Sequence, residues 1–463
     1  MRKRPFPLTP GMRTFLVIWV GQLISRIGTA MTRFALLIWA YQQTGSATAV
    51  ALLGFASFVP MVLLGPLAGV LIDRFDRRRI LLLADLGAGV MTALLLALVA
   101  ADRLQTWHLY AIVGAAGAFE VFQEPAHSAV TSVLLPPAQY GRANGLRATI
   151  QYGAQVLAPL LGSLCLLWIG LGGILLLDLA TFLAALATLL LVRVPAVAEE
   201  TAAAPGRLRQ ELRVGLGFIR QRPGLLGLTL ISTAIHFFAA FTWLSILPAM
   251  ILARSGGSEA ALAAVQSAMG LAGVVGGLVV SLWGGPRNKL AGFLLGVIFS
   301  FLLGDIPLAL GRSQAVWVAA GALGSFFIPI LMSARQSIWQ TQVPPALQGR
   351  VFATRNTFAN LVMPLGYLLG GVTADYLLEP AMTPGGALAG SFGPLVGVGP
   401  GTGMALMFVA SALLAITMCL AAFFVPAIRH VETNLPDYGA TTKPLASSAS
   451  SRPPSSNAHT VQL

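Results

Sequence analysis

Charge is the scarcest property of this sequence. Of its 463 residues only 10% are Asp, Glu, Lys or Arg, whereas ordinary soluble domains carry about 25%. With 56% hydrophobic residues beside so little charge, a disordered chain is excluded and a soluble enzyme is not expected. Cysteine is nearly missing. Cys165 and Cys419 both lie inside apolar runs, which excludes a disulfide-stapled domain and leaves each as a small packing or lipid-phase residue. Three chemical signatures are also missing: a Gly-rich loop ending in Lys-Ser/Thr, His-Glu-x-x-His and Gly-x-Ser-x-Gly. The sequence therefore predicts no enzyme activity, no bound cofactor and no metal.

What is abundant is apolar length. A bilayer core needs about 20 apolar residues per helix. Twelve such stretches occur, near 13–41, 46–72, 79–100, 107–134, 143–169, 172–194, 223–251, 259–283, 289–311, 314–340, 350–378 and 401–425. The 50 glycines and 28 prolines fit membrane helices, which tolerate both. The expected fold class is an all-α polytopic membrane protein of twelve transmembrane helices. A Gly-rich turn at Gly170, Gly172 and Gly173 separates the fifth and sixth, and residues 379–400 read as a loop. The basic start Met1-Arg2-Lys3-Arg4 looks like a signal-peptide n-region, but the apolar run behind it is too long for cleavage, so it reads as an uncleaved first span.

The net charge of +13 would suit nucleic acid if its cations shared one folded surface with stacking aromatics. They do not. They alternate with the spans: Arg2 to Arg13, Arg74 to Arg79, Arg142 and Arg147, Arg193 to Arg222, Arg287 and Lys289, Arg350 and Arg355, and Arg429 onward share one side. The other side holds only Arg103, Arg254 and Arg312. Cytoplasmic loops are the Lys/Arg-rich ones. Both termini are therefore expected in the cytoplasm of a cell whose inner membrane holds the chain, with the lipid bilayer and no nucleic acid as partner.

The longest internal polar segment, 195–222, divides the chain into an N-terminal half (1–194) and a C-terminal half (223–426), with 427–463 expected as a disordered tail. The halves are related. Pro136-Pro137-Ala138-Gln139-Tyr140-Gly141-Arg142 matches Pro344-Pro345-Ala346-Leu347-Gln348-Gly349-Arg350 at an offset of 208. Ala126, Arg147, Thr149 and Leu160-Leu161-Gly162 find Ala334, Arg355, Thr357 and Leu368-Leu369-Gly370 at the same offset. Duplicated six-span halves with a site between them are a secondary-transporter architecture.

After the second span the chain reads Gly69-Val70-Leu71-Ile72-Asp73-Arg74-Phe75-Asp76-Arg77-Arg78. This resembles the signature loop of the major facilitator superfamily. The resemblance implies that Gly69, Asp73, Arg74, Arg77 and Arg78 latch the two halves when the transporter opens outward. The corresponding loop of the second half keeps Gly277, Arg287 and Lys289 but has Ser281 in place of the acid. Asp73–Arg78, Gln340–Phe352 and Gly397–Gly403 look like the drug- and siderophore-exporter branch, which includes macrolide-efflux and enterobactin-exporter-like proteins. Gly153, Ala158, Pro159 and Gly162 in the fifth span partly resemble the antiporter motif of drug/proton exchangers, with Ala158 where that motif has Gly. The resemblance implies proton-driven efflux of a small amphipathic substrate by alternating access, by a functional monomer. A lipid or lysolipid flippase or a facilitator of the same fold, and a membrane-embedded sensor, are the alternatives.

Charges within the hydrocarbon cost about 2.5–3.5 kcal/mol each and so face cavities or partners. Glu120 and Glu124 share one face of the fourth span, and Arg26 of the first span lies at similar depth by residue count. An Arg26 pairing with either carboxylate is the expected proton-coupling site. Arg33 is expected near the outer rim or against Asp178, and Asp305 in packing. Arg335 is expected to close the side of the termini against Glu124 or His127. Trp39, Phe122, His127, His236, Phe237, Trp243, Arg335 and Trp339 are the candidate lining of a substrate cavity.

Overall fold

A computed structural model describes residues 9–74, 77–136, 139–192 and 207–432. The membrane-length helices of the first half are α1 (Pro10–Thr44), α2 (Ala47–Arg74), α3 (Arg77–Ala100), α4 (Thr106–Leu134) and α5 (Tyr140–Leu191). A shorter helix α6 (Arg207–Arg220) follows, then α7 (Pro223–Ala239), α8 (Leu247–Arg254), α9 (Glu259–Trp283), α10 (Lys289–Ser300), α11 (Ile306–Leu310), α12 (Gln314–Gln342), α13 (Pro345–Thr373), α14 (Glu379–Ala381), α15 (Ala389–Val396), α16 (Thr402–Phe424) and α17 (Pro426–Arg429). Among the described residues ten helices are long and apolar enough to cross a membrane. One of the ten, Gly153–Leu191, doubles back at Gly170, and α4 is a further helix of membrane length that carries Glu120, Gln123, Glu124 and His127.

The reversal has a local cause. A straight helix as long as α5 would span about 78 Å, far more than a bilayer core of about 30 Å. Gly170 breaks it with φ 65° and ψ −175°, a conformation open essentially to glycine alone. The first arm runs parallel to α1, with Ala143 beside Met12 and Phe15 and Gly162 beside Met31 and Phe34. The second arm runs back, with Asp178 and Thr181 beside Gly28 and Ala185 and Thr188 beside Gly21.

In the second half α7–α8, α10–α11 and α13–α14 are each joined through a wide π turn, at Ala240–Leu244, Phe301–Asp305 and Ala374–Leu378. Pro248, Pro307 and Pro380 follow these turns. Each lacks the N–H that would bond back into the turn, so the helix widens there.

Two segments are more structured than their composition suggests. Residues 379–400 contain α14 and α15, and the Glu379 carboxylate accepts the N–H groups of Gly401 (2.9 Å) and Met404 (2.8 Å), capping α16. The segment expected to be a disordered tail begins as folded chain: Ile428 and Val431 are buried in the core of the second half, and Glu432 accepts the N–H of Leu290 at 2.6 Å. Residues 433–463 lie outside the described residues. Within 195–222, α6 buries Phe218 and Ile219 against the second half while Arg213 and Arg220 stay exposed.

The halves meet at the ends of the spans remote from the termini. Gln42 donates to Glu259 at 2.8 Å. Asp375 accepts the backbone N–H groups of Ala47 (3.0 Å) and Thr48 (2.7 Å) and the Ser46 hydroxyl, closing the start of α2 onto the end of α13. Further in, Gly54 lies so close to Tyr367 that a Cβ there would stand 2.1 Å from its ring, and Ser267 donates to the carbonyl of Val156 at 3.1 Å.

Candidate functional site

The polar residues in the middle of α1 fall at Gln22, Ser25, Arg26, Thr29, Thr32 and Arg33. Spacings of three and four place them on one helix face. That face is drawn against α5 because Gly28 has no side chain: a Cβ there would come within 2.5 Å of the Thr181 hydroxyl. Asp178, 2% exposed, is thereby brought among hydroxyls. It accepts from Thr29 (3.1 Å) and Thr32 (2.9 Å) on α1 and from Thr92 (3.4 Å) on α3. One tier nearer the termini, Asp85 of α3 is 4% exposed and accepts from the Gln22 amide at 3.2 Å.

Between α1, α3, α4 and the second arm of α5 lies a cavity of about 50 Å³, lined among others by Arg26, Asp85, Glu120, Gln123 and Asp178. At the edge of this cavity Arg33 grips Glu120 with both carboxylate oxygens on one guanidinium nitrogen. The Arg33 side chain is 48% exposed and that of Glu120 20%, and Tyr367 of the opposite half lies within electrostatic reach of Arg33. The pair thus faces the space between the halves on one side and the polar cavity on the other.

The sequence pattern of the Major Facilitator Superfamily matches residues 18–367. The chain belongs to this superfamily. It is 24% identical over 366 residues to macrolide efflux protein A of Streptococcus pyogenes, covering 78% of this chain and 89% of that protein. It is 23% identical over 375 residues to the multidrug efflux pump Tap of Mycolicibacterium fortuitum, again covering 78% and 89%. In fold it is similar to a bacterial homologue of the human lysosomal transporter Spinster, with a TM-score of 0.64, 17% identity and coverage of 93% and 99% of the two chains. The nucleoside transporter NupG is similar at a TM-score of 0.69 and 10% identity, with coverage of 88% and 99%. The chain is accordingly a multi-pass membrane transporter, and not an enzyme.

On this facilitator fold the expected partnership shifts by two turns of α1. Glu120 holds Arg33, and Arg26 lines the same cavity without being the residue hydrogen-bonded to it. Counting from where Gly11 meets Leu134, Arg33 lies about 33 Å along α1 and Glu120 about 21 Å along α4. The two side chains meet all the same, which a count along straight axes cannot register. Arg33 is thus held by Glu120 and Asp178 by threonines. The Glu124 side chain lies outside the described residues, so no partner is assigned to it. Arg335 is half-buried and touches the Met332 sulfur at 3.1 Å.

The aromatic candidates divide. Trp339 is fully buried in the second-half core, with Arg355 over its ring. Trp243 donates to Asp305 at 2.8 Å and packs edge-on to Phe408, which makes both packing residues. Trp39 packs onto a core of Leu95, Leu109 and Leu175 within the first half. Phe237 stacks on Phe241, His236 bonds the carbonyl of Ser232 at 2.6 Å, and Phe122 and His127 are half-buried on α4. Of the antiporter-like motif, Ala158, Pro159 and Gly162 are buried where α5 meets α1, and Gly153 is half-buried. Gly69, Asp73 and Arg74 end α2, and Arg77 and Arg78 begin α3, with their side chains outside the described residues.

Asp85, Gln22 and the three threonines were not singled out from sequence. Asp85 carries a readable signal, an acid inside the apolar run from Ile80 to Leu96. The threonines carry none, because a hydroxyl is unremarkable in a membrane helix until an acid is placed beside it.

Proposed function

We propose that this transporter exports amphipathic compounds from the cytoplasm, driven by the proton gradient, through alternating access of a site between its halves. The observation that carries the reading is the Arg33–Glu120 pair, a charged partnership deep in the spans and open to the space between the halves. Macrolide efflux protein A and the pump Tap, each matched over most of its length, support export of drug-like molecules. The Lys/Arg-rich loops favour a cytoplasmic location of both termini in a bacterial inner membrane. With that orientation the contacts at Asp375 and Gln42 close the outer side, the state in which a pump collects its cargo from within. Glu120, freed from Arg33, is suited to a cationic or hydrogen-bond-donating group of the substrate.

The test is expression in an efflux-deficient bacterial host, with everted vesicles energised by an imposed pH gradient and offered ethidium, rhodamine 6G or erythromycin. Gradient-dependent accumulation that disappears in Glu120→Gln supports the reading. Equal accumulation with and without the gradient identifies a facilitator, and movement of a labelled lysolipid alone identifies a flippase.

A further inference from the structure

The cavity inside the first half has more acid than its pairing needs. Among the described residues around it, Arg26 and Arg33 face three carboxylates: Glu120, Asp85 and Asp178. Glu120 is matched by Arg33. Asp85 is held by an amide and Asp178 by three hydroxyls, none of them charged. One negative charge is thus in excess in a region where each buried charge costs about 2.5–3.5 kcal/mol, and one bound proton removes it. We propose that this cavity is the proton site of the transporter, with Asp178 taking up and releasing the coupling proton and Asp85 relaying it along α1 toward the side of the termini.

Three features fit Asp178 to that role. Hydroxyls donate to a carboxylate and, on rotating, accept from a carboxylic acid, so Thr29, Thr32 and Thr92 satisfy it in both forms. The cavity of about 50 Å³ has room for water, since one molecule needs only about 10–15 Å³ on that measure. Gln22 lies seven residues before Thr29 on α1, which puts the Asp85 tier about 10 Å nearer the termini. Each transfer moves one proton. The O–H bond of the Asp178 carboxylic acid breaks as cavity water takes the proton, an O–H bond forms on Asp85, and Asp85 then releases the same proton to water on that side.

Coupling to the substrate runs through Arg33, which follows Thr32 in the chain and lies within electrostatic reach of Asp178. A substrate that engages Glu120 releases Arg33, whose charge is then available to the Asp178 carboxylate. Proton and substrate thereby exclude one another. The groups facing Asp178 are Arg26 and Arg33 on α1, Asp85 on α3 and Glu120 on α4, with Tyr367 of α13 beyond Arg33.

The proposal rests on the proton-driven export reading, but one of its tests does not need a substrate. Infrared difference spectra of the purified full chain, taken on a pH step, are expected to show the C=O stretch of a protonated carboxyl that is lost in Asp178→Asn. In Thr32→Val the band is expected to persist with a moved midpoint. Spectra of both variants identical to wild type would overturn the assignment, and Thr32→Val decides it if Asp178→Asn does not fold. In proteoliposomes loaded with ethidium or erythromycin, Asp178→Asn should lose accumulation driven by a pH gradient. Wild-type accumulation in that variant, or accumulation by wild type driven by a sodium gradient at equal pH, overturns the proposal. A wild type that moves neither probe defeats the export reading, and the infrared band still decides Asp178.

Discussion

The carboxylate of Asp375, at the end of α13, accepts the backbone N–H of Thr48 at 2.7 Å across the boundary between the halves. Together with its bonds to Ala47 and Ser46, it caps the start of α2 from the opposite half. A helix N-cap is worth about 0.5–2 kcal/mol. If it forms only when this side is closed, Asp375→Ala should shift the open-to-closed ratio by about 2- to 30-fold. Labelling of Ala51→Cys by an impermeant maleimide, in a background lacking the two native cysteines, reads that shift, and an unchanged labelling rate would remove Asp375 from the seal.

Gly54 makes the complementary test. Its missing side chain leaves room for the ring of Tyr367. Gly54→Leu should hold the halves apart on this side and stop transport, and adding Tyr367→Ala should restore closure. Spin-label distances between the ends of α2 and α13 measure both outcomes. Failure of the double variant to recover would mean that the contact is incidental.

For the Arg33–Glu120 pair, stability and transport should part company. With the arginine side chain 48% exposed, solvent in the space between the halves screens the pair and limits the stability lost with either charge. Arg33→Gln and Glu120→Gln should each abolish energised efflux while melting near the wild-type temperature in detergent. A large loss of melting temperature with normal flux would make the pair a packing feature.

Trp243 and Gly170 test parts of the fold away from transport. Trp243→Phe leaves the buried Asp305 without its indole donor, a loss of about 1–3 kcal/mol. It should lower the melting temperature and leave the range of exported compounds unchanged, whereas an altered range would return Trp243 to the substrate cavity. Gly170→Ala forces a side chain into φ 65° and ψ −175°, at a cost of about 1–3 kcal/mol, again read by melting and without effect on flux.

Much of this was legible in the chain because its causes are local. The Gly170 bend follows from one residue, at the Gly-rich turn expected between the fifth and sixth spans. The partner of Glu120 was not local. Arg26 and Arg33 are two turns apart on one helix face, and only the packing of α1 against α4 selects between them. Trp39, Trp243 and Trp339 were equally undecided, since an aromatic ring in an apolar run shows nothing of which way its helix is rotated.

The sequence by itself determined an all-α polytopic membrane protein, because hydrocarbon length and backbone satisfaction constrain every span independently. It also carried the alternation of cations between loops and the superfamily loop after the second span. Only the tertiary structure decided that Arg33 holds Glu120, that Gly28 brings Asp178 among threonines from two other spans, and that Asp375 closes α2 from the opposite half. Those relationships depend on helix rotation and close approach across more than eighty residues of chain, which hydropathy and spacing do not encode.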